Sequence, residues 1–144
     1  MGGGVLKRYN IIFLLNASGG MLLMCRRGKE PYRGLLNLVG GKIEEGEDHL
    51  AAAYRELAEE TGIRDVRLTH IMDFMYYNPS CLLEVYAGQL ACDVPVQGDE
   101  NELLWVSADE DFFDASRFAG DGNIGHIQII AQYRRDNGVW PEAL

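Results

Sequence analysis

The segment from Gly41 to Ile63 reads Gly-x5-Glu-x7-Arg-Glu-Leu-x-Glu-Glu-x-Gly-Ile, and no other stretch restricts the fold of this 144-residue chain so tightly. Glu56, Glu59 and Glu60 stand at i, i+3 and i+4, so on an α-helix they share one arc of roughly 100°. Leu50, Ala53, Tyr54, Leu57 and Thr61 project along an arc centred about 120° away. One helix can therefore bury an apolar stripe and turn three carboxylates toward a cleft. Asp48 suits an N-cap and Gly62 a left-handed stop, which predicts a helix over Asp48 to Thr61 with Glu47 in the turn before it. With Gly41, Glu47, Arg55, Glu56, Glu59, Glu60 and Gly62 fixed, each met by chance at roughly 7 %, the pattern arises by accident in about one chain in a million.

Like charges at these spacings repel by a few tenths of a kcal/mol per pair unless a counter-charge intervenes. Arg55 supplies one positive charge against three negatives. A hard cation does better: Mg²⁺ favours carboxylate, carbonyl and water oxygen and bridges protein carboxylates to substrate phosphates. A bare Glu-x-x-Glu-Glu is an ordinary solvated helix face. With Gly41, Glu47, Arg55 and Gly62 at their spacings, a cation site is the better reading.

The segment resembles the signature of the Nudix hydrolases, Gly-x5-Glu-x7-Arg-Glu-U-x-Glu-Glu-x-Gly-U with U a bulky aliphatic residue, and matches it at every defined position. The resemblance covers about a sixth of the chain. It implies a Nudix-type α/β/α sandwich around a mixed β-sheet and metal-dependent attack on a diphosphate. It also implies roles: Glu56, Glu59 and Glu60 as metal ligands, the Gly41 carbonyl as a further ligand, and Arg55 as the residue that orients a glutamate. Glu47 would stabilise the loop and helix or join the outer metal shell. Mg²⁺ is the expected cofactor, with Mn²⁺ as a substitute.

The length is that of one domain over 1–144, large enough to bury about two thirds of its unfolded surface. No apolar run approaches the ~20 residues of a membrane span, and neither a signal peptide nor a myristoylation signal is read at the N-terminus, where Leu6 replaces the required Ser or Thr. A cytoplasmic protein is expected. Cys25, Cys81 and Cys92 form no metal-binding or disulfide pattern and are expected to be small buried hydrophobes. His49, His70 and His126 are scattered, and His126 is the one near a proposed substrate segment.

The net charge of −9 argues against a polymeric nucleic acid but not against a small polyphosphate. Arg26, Arg27, Lys29, Arg33 and Lys42 place 5 of the 13 basic residues just before the acidic helix. Arg27, Arg33 and Lys42 are thus phosphate-binding candidates, with an ordinary solvated loop as the alternative.

Hydrophobic patterning predicts strands at Tyr9 to Leu15 and Met21 to Arg26 joined as a hairpin, then a loop from Arg27 through Gly41. Two long strands follow at Val66 to Tyr77 and Cys81 to Ala91, turning at Asn78-Pro79-Ser80. A short strand at Leu103 to Val106, a helical turn at Ala108 to Phe113 and a helix at Ile124 to Arg135 complete an α/β chain.

Substrate signals are weaker. Asn37 to Lys42 resembles the Asn-Gly-x-Gly-Gly-Lys stretch of the Nudix branch that hydrolyses oxidised purine nucleoside triphosphates, which implies that Asn37 reads the base. Leu36 and Leu38 depart from that branch, which has Trp and Gly there. Asp121 falls roughly where the branch places base-reading acids, and an N-cap or turn role is its alternative. Phe74, Tyr76 and Phe118 are candidates to stack on a base or to pack in the core. Glu100 and Glu102 are candidate general bases outside the signature. The leading expectation is Mg²⁺-dependent hydrolysis of a nucleoside triphosphate such as 8-oxo-dGTP to monophosphate and pyrophosphate, by a monomer or homodimer. ADP-ribose or a nucleotide sugar is the second candidate substrate, with Pro79 16 residues beyond Ile63 in its favour. A non-catalytic nucleotide sensor is disfavoured, because degraded family members usually lose a catalytic glutamate and all are present here.

Overall fold

The computed structural model of the chain describes residues 6–98 and 100–141. The glycine-rich N-terminus read above lies outside them. The helix of the acidic segment, α1, spans His49–Thr61, and both ends are closed as their residues dictate. Asp48 sits in extended backbone and accepts the Ala51 N–H, while Gly62 adopts φ 79° and donates its N–H to the Ala58 carbonyl. Its buried residues are Ala52, Ala53, Leu57 and Thr61. Leu50, expected in the stripe, is exposed. The buried face is thus rotated toward the Ala52, Glu56, Glu60 row, and that rotation carries two of the acids into the seam between helix and sheet.

The sheet holds β1 (Lys7–Leu15), β2 (Met21–Arg26), β3 (Leu36–Asn37), β4 (Val39–Lys42), β5 (Thr69–Tyr77), β6 (Ser80–Gln89) and β7 (Glu102–Ser107). Its order is β3-β2-β1-β6-β5, with β4 paired to β1 and β7 to β2. The β1–β6 pair is parallel and the others are antiparallel, so the sheet is mixed. The expected β1–β2 hairpin meets only at Leu15 and Leu22. The rest of β1 is occupied by β6 on one side and by β4, from Tyr9 to Ile12, on the other.

β3 and β4 correct the expected loop through Gly41. Their patterning is invisible because both are short and β4 contains two glycines, which carry no side chain to alternate. Those glycines permit the pairing: a Cβ on Gly40 would collide with the Asn10 carbonyl of β1. The helical turn expected at Ala108 to Phe113 is a pair of non-helical turns, with Asp111 accepting the Phe113 N–H.

β1 is buried on both faces. Ile12 and Leu14 join Ala53, Leu57, Val39 and Leu23 under α1, whereas Ile11, Phe13 and Leu15 join Ile124, Ile127 and Ala131 of α2, which spans Asn123–Asp136. Two helices on opposite faces of a mixed sheet make an α/β/α sandwich. Replacing Asp48 with Ala removes the N-cap and should cost about 1 kcal/mol. Thermal denaturation should then show a melting temperature lower by several degrees, and an unchanged value would exclude the cap as a stabilising contact.

Candidate active site

Arg55 organises the acidic helix. Its Nε and Nη2 donate to the two oxygens of Glu47 at 2.7 and 2.9 Å. Its Nη1 donates to Glu56 at 3.0 Å and to Glu59 at 3.2 Å, and Nη2 also reaches the Lys42 carbonyl at 3.2 Å. Arg55, with help from the Glu44 backbone N–H, holds the Glu47 carboxyl down to about 2. In return Glu47 raises the Arg55 pKa above its ordinary value and keeps the guanidinium charged.

Glu56, Glu59 and Glu60 line one cavity of about 270 Å³ together with Cys25, Glu100, Asn101 and Leu103. Gly41 makes room for the first of them, because a Cβ there would strike the Glu56 carboxyl. The Gly41 N–H donates to Oδ1 of buried Asn10 at 3.1 Å, and the Gly40 N–H to Glu60 at 3.3 Å. Burial raises the pKa of Glu56 against the lowering effect of Arg55. Burial, reinforced by Glu56, Glu100 and Glu59, pushes Glu60 up to about 7.

That donor set fits a hard divalent cation. Four carboxylates line one small space, and burial together with the neighbouring carboxylates raises the pKa of Glu60, a tension that a cation relieves. Among the described residues no three His, Cys, Asp or Glu side chains are already gathered around one ion position. Arg55 draws Glu56 and Glu59 toward itself while Glu60 turns to the Gly40 amide.

The remaining candidates divide. Glu100 faces the acidic cavity, but Glu102 starts β7 and lies 3.5 Å from Arg26, away from it. Arg27 donates to the Pro31 carbonyl at 2.7 Å and Arg33 lies 3.9 Å from Glu30, so both brace their own loop and neither lines a cavity with the acids. Lys42 is exposed at the end of β4 and offers its carbonyl to Arg55. Asn37, Phe74 and Asp121 line a second cavity, a cleft of about 770 Å³ with Tyr9, Tyr32, Tyr76, Pro79, Asn123 and His126. Phe118 is not in it. The bridge between Leu36 and Phe118 pulls that residue into the core against Phe112, where it is 1 % exposed.

One strand pairing links the linings of the two cavities: Asn37, in the cleft, is the direct partner of Cys25, in the acidic cavity. The cysteines also divide. Cys25 is buried and pushed up to about 11 by burial and by Glu60, Cys81 is half-buried in the cleft, and Cys92 is exposed, contrary to expectation. Sequence reasoning missed buried Glu84, which accepts from the Tyr86 hydroxyl at 2.7 Å and lies 2.7 Å from Nδ1 of His49. The only signal was a lone acid in the apolar strand β6. Tyr32 and Asn123 were missed as well, having no pattern to mark them.

A helix of carboxylates packed on a glycine strand within such a sandwich is the architecture of a Nudix domain. Residues 6–119 match the model of the NUDIX domain, and the chain belongs to that family. It is 35 % identical over 95 residues to the ADP-ribose pyrophosphatase of Bacillus subtilis, covering 65 % of this chain and 48 % of that protein. It is 34 % identical over 96 residues to a Mycobacterium tuberculosis protein provisionally named 8-oxo-dGTP diphosphatase 2, covering 64 % and 68 %. Among solved structures, the NUDIX domain of Shewanella oneidensis NrtR complexed with ADP ribose superposes with a TM-score of 0.71 at 17 % identity, covering 94 % of this chain and 90 % of that one. The chain spans roughly half to two thirds of the length of the curated relatives it matches. Among the described residues no helix is long and apolar enough to cross a membrane.

Glu60, raised above its ordinary value of 4.5, binds a proton in the folded state between about pH 4.5 and 7 that the unfolded chain does not. Its contribution to the stability of metal-free protein therefore falls as pH rises through that window. Mg²⁺, which competes with the proton, should raise the melting temperature more at pH 8 than at pH 5.5. Glu60→Gln should flatten that difference, and an unaltered pH dependence would count against the site.

Proposed function

We propose that the chain is a divalent-metal-dependent pyrophosphohydrolase whose first substrate to test is an oxidised purine nucleoside triphosphate, 8-oxo-dGTP. The observation that carries this reading is the pairing of Cys25, in an acid-lined cavity, with Asn37, in an aromatic cleft, which suits the diphosphate and base of one nucleotide. Glu56, Glu59, Glu60 and the Gly41 carbonyl would hold Mg²⁺ or Mn²⁺. A bound divalent cation would neutralise diphosphate oxygens and make water more acidic.

The chain's own groups supply the rest. Glu100, facing the helix acids from the loop before β7, accepts the proton of the attacking water. Water adds to one phosphorus and the bridging P–O bond breaks, releasing monophosphate and pyrophosphate. Arg55 positions Glu56 and Glu59 and is itself oriented by Glu47. In the cleft, Asn37 spends its Oδ1 on the Leu38 N–H at 2.9 Å, which directs its amide donors to an acceptor on the base, while Phe74 and Tyr76 offer ring faces. The relative provisionally named for 8-oxo-dGTP supports this substrate.

ADP-ribose is the second reading. Asn78 and Pro79, between β5 and β6, line the cleft, and one relative is named for that activity.

A nucleotide panel with Mg²⁺ separates the two, since the first gives monophosphate with pyrophosphate and the second AMP with ribose phosphate. Binding without products would leave only a sensor. Glu59→Gln and Glu60→Gln should each abolish most turnover with the fold intact by circular dichroism, and Glu47→Gln should lower it roughly 10- to 100-fold through misplaced Arg55. Asn37→Ala should raise KM for the purine triphosphate far more than it changes ADP-ribose hydrolysis, and equal effects would remove Asn37 from base reading.

A further inference from the structure

Tyr32 and Asp121 lie 89 positions apart, and both are non-glycine residues with positive φ, 66° and 52°. L side chains disfavour that backbone, and it persists where surrounding contacts impose it. The two residues meet in the aromatic cleft, where the Tyr32 hydroxyl donates to Asp121 Oδ2 at 2.9 Å. Burial and Asp121 raise the Tyr32 pKa above its ordinary value, so the hydroxyl remains a donor.

The segments that carry them are anchored at a common base. Leu36 donates to the Arg117 carbonyl at 2.9 Å and Ala119 to the Leu36 carbonyl at 2.8 Å. The neck of loop 27–35 is closed by the Arg27 N–H on the Leu35 carbonyl and the Gly34 N–H on the Arg27 carbonyl. From that base, the loop bends over the cleft and touches the opposite segment through Tyr32.

We infer that the Tyr32 hydroxyl and the Asp121 carboxylate form a latch across the cleft, which a base with two adjacent N–H donors opens by taking the place of the hydroxyl. A 2-amino-6-oxopurine presents such an edge, because N1–H and the 2-amine stand side by side and match the two oxygens of one carboxylate. A 6-aminopurine presents one donor, its exocyclic amine, beside a bare acceptor at N1 that a carboxylate oxygen repels, and so leaves the latch closed. Tyr32 is then a specificity residue that acts by competition, and this inference rests on the nucleotide reading of the cleft.

The test compares wild type with Tyr32→Phe by hydrogen exchange of loop 27–35 and by hydrolysis of dGTP and dATP. Loop exchange should accelerate severalfold without nucleotide, and KM for dGTP should fall roughly five- to tenfold with kcat held within twofold. KM for dATP should not move. Unchanged exchange, or an equal shift of KM for both bases, overturns the latch. If wild type hydrolyses neither nucleotide the activity reading fails, and exchange still decides whether Tyr32 pins the loop.

Discussion

Crowded negative charge is the constraint on which the rest of this structure depends. Glu56, Glu59 and Glu60 must share one helical face, and Glu56 and Glu60 are driven toward the sheet by the rotation that buries Ala52 and Ala53. Arg55 answers part of that repulsion from within the helix, and its fork is pinned by Glu47 in the preceding turn. The absence of a side chain at Gly41 supplies the remaining space. The same motif thus serves stability and chemistry, because the geometry that makes the acids tolerable also leaves them short of a cation.

The sheet converts this local device into a site. Alternation along β1 sends Ile12 and Leu14 to one helix and Ile11, Phe13 and Leu15 to the other, so each helix gains its own core. With β6 on one flank and β4 on the other, β1 forces β2 away except at one end. The short strands β3 and β4 then run between the acidic cavity and the aromatic cleft. A substrate with a charged end and a planar end suits that division, and the polar groups of Asn37 and Asp121 sit at the planar side.

Much of this was legible in residue order because the forces involved are local. The caps Asp48 and Gly62 act within one turn, and the carboxylate partners of Arg55 lie within eight residues of it. Strands of five residues or more announced themselves through apolar runs. β3 and β4 did not, since two glycines erase the alternation a strand needs to be seen. Phe118 looked as suitable for stacking as Phe74. The contact of Leu36 with Phe118, made across 82 positions, buries one ring and leaves the other facing the cleft. Glu100 and Glu102 were equivalent on paper, and the pairing of β2 with β7 turned only the second toward Arg26.

What residue order alone determined was the acidic helix, its caps, its arginine brace and the family to which the chain belongs, because side chains a few positions apart on a helix meet whatever the remainder of the molecule does. Tertiary structure decided which carboxylate outside the motif joins the cavity, which aromatic faces a ligand, and that Tyr32 meets Asp121. Those contacts join segments far apart in the chain. They exist only once the sheet has set its register, and no local periodicity records them.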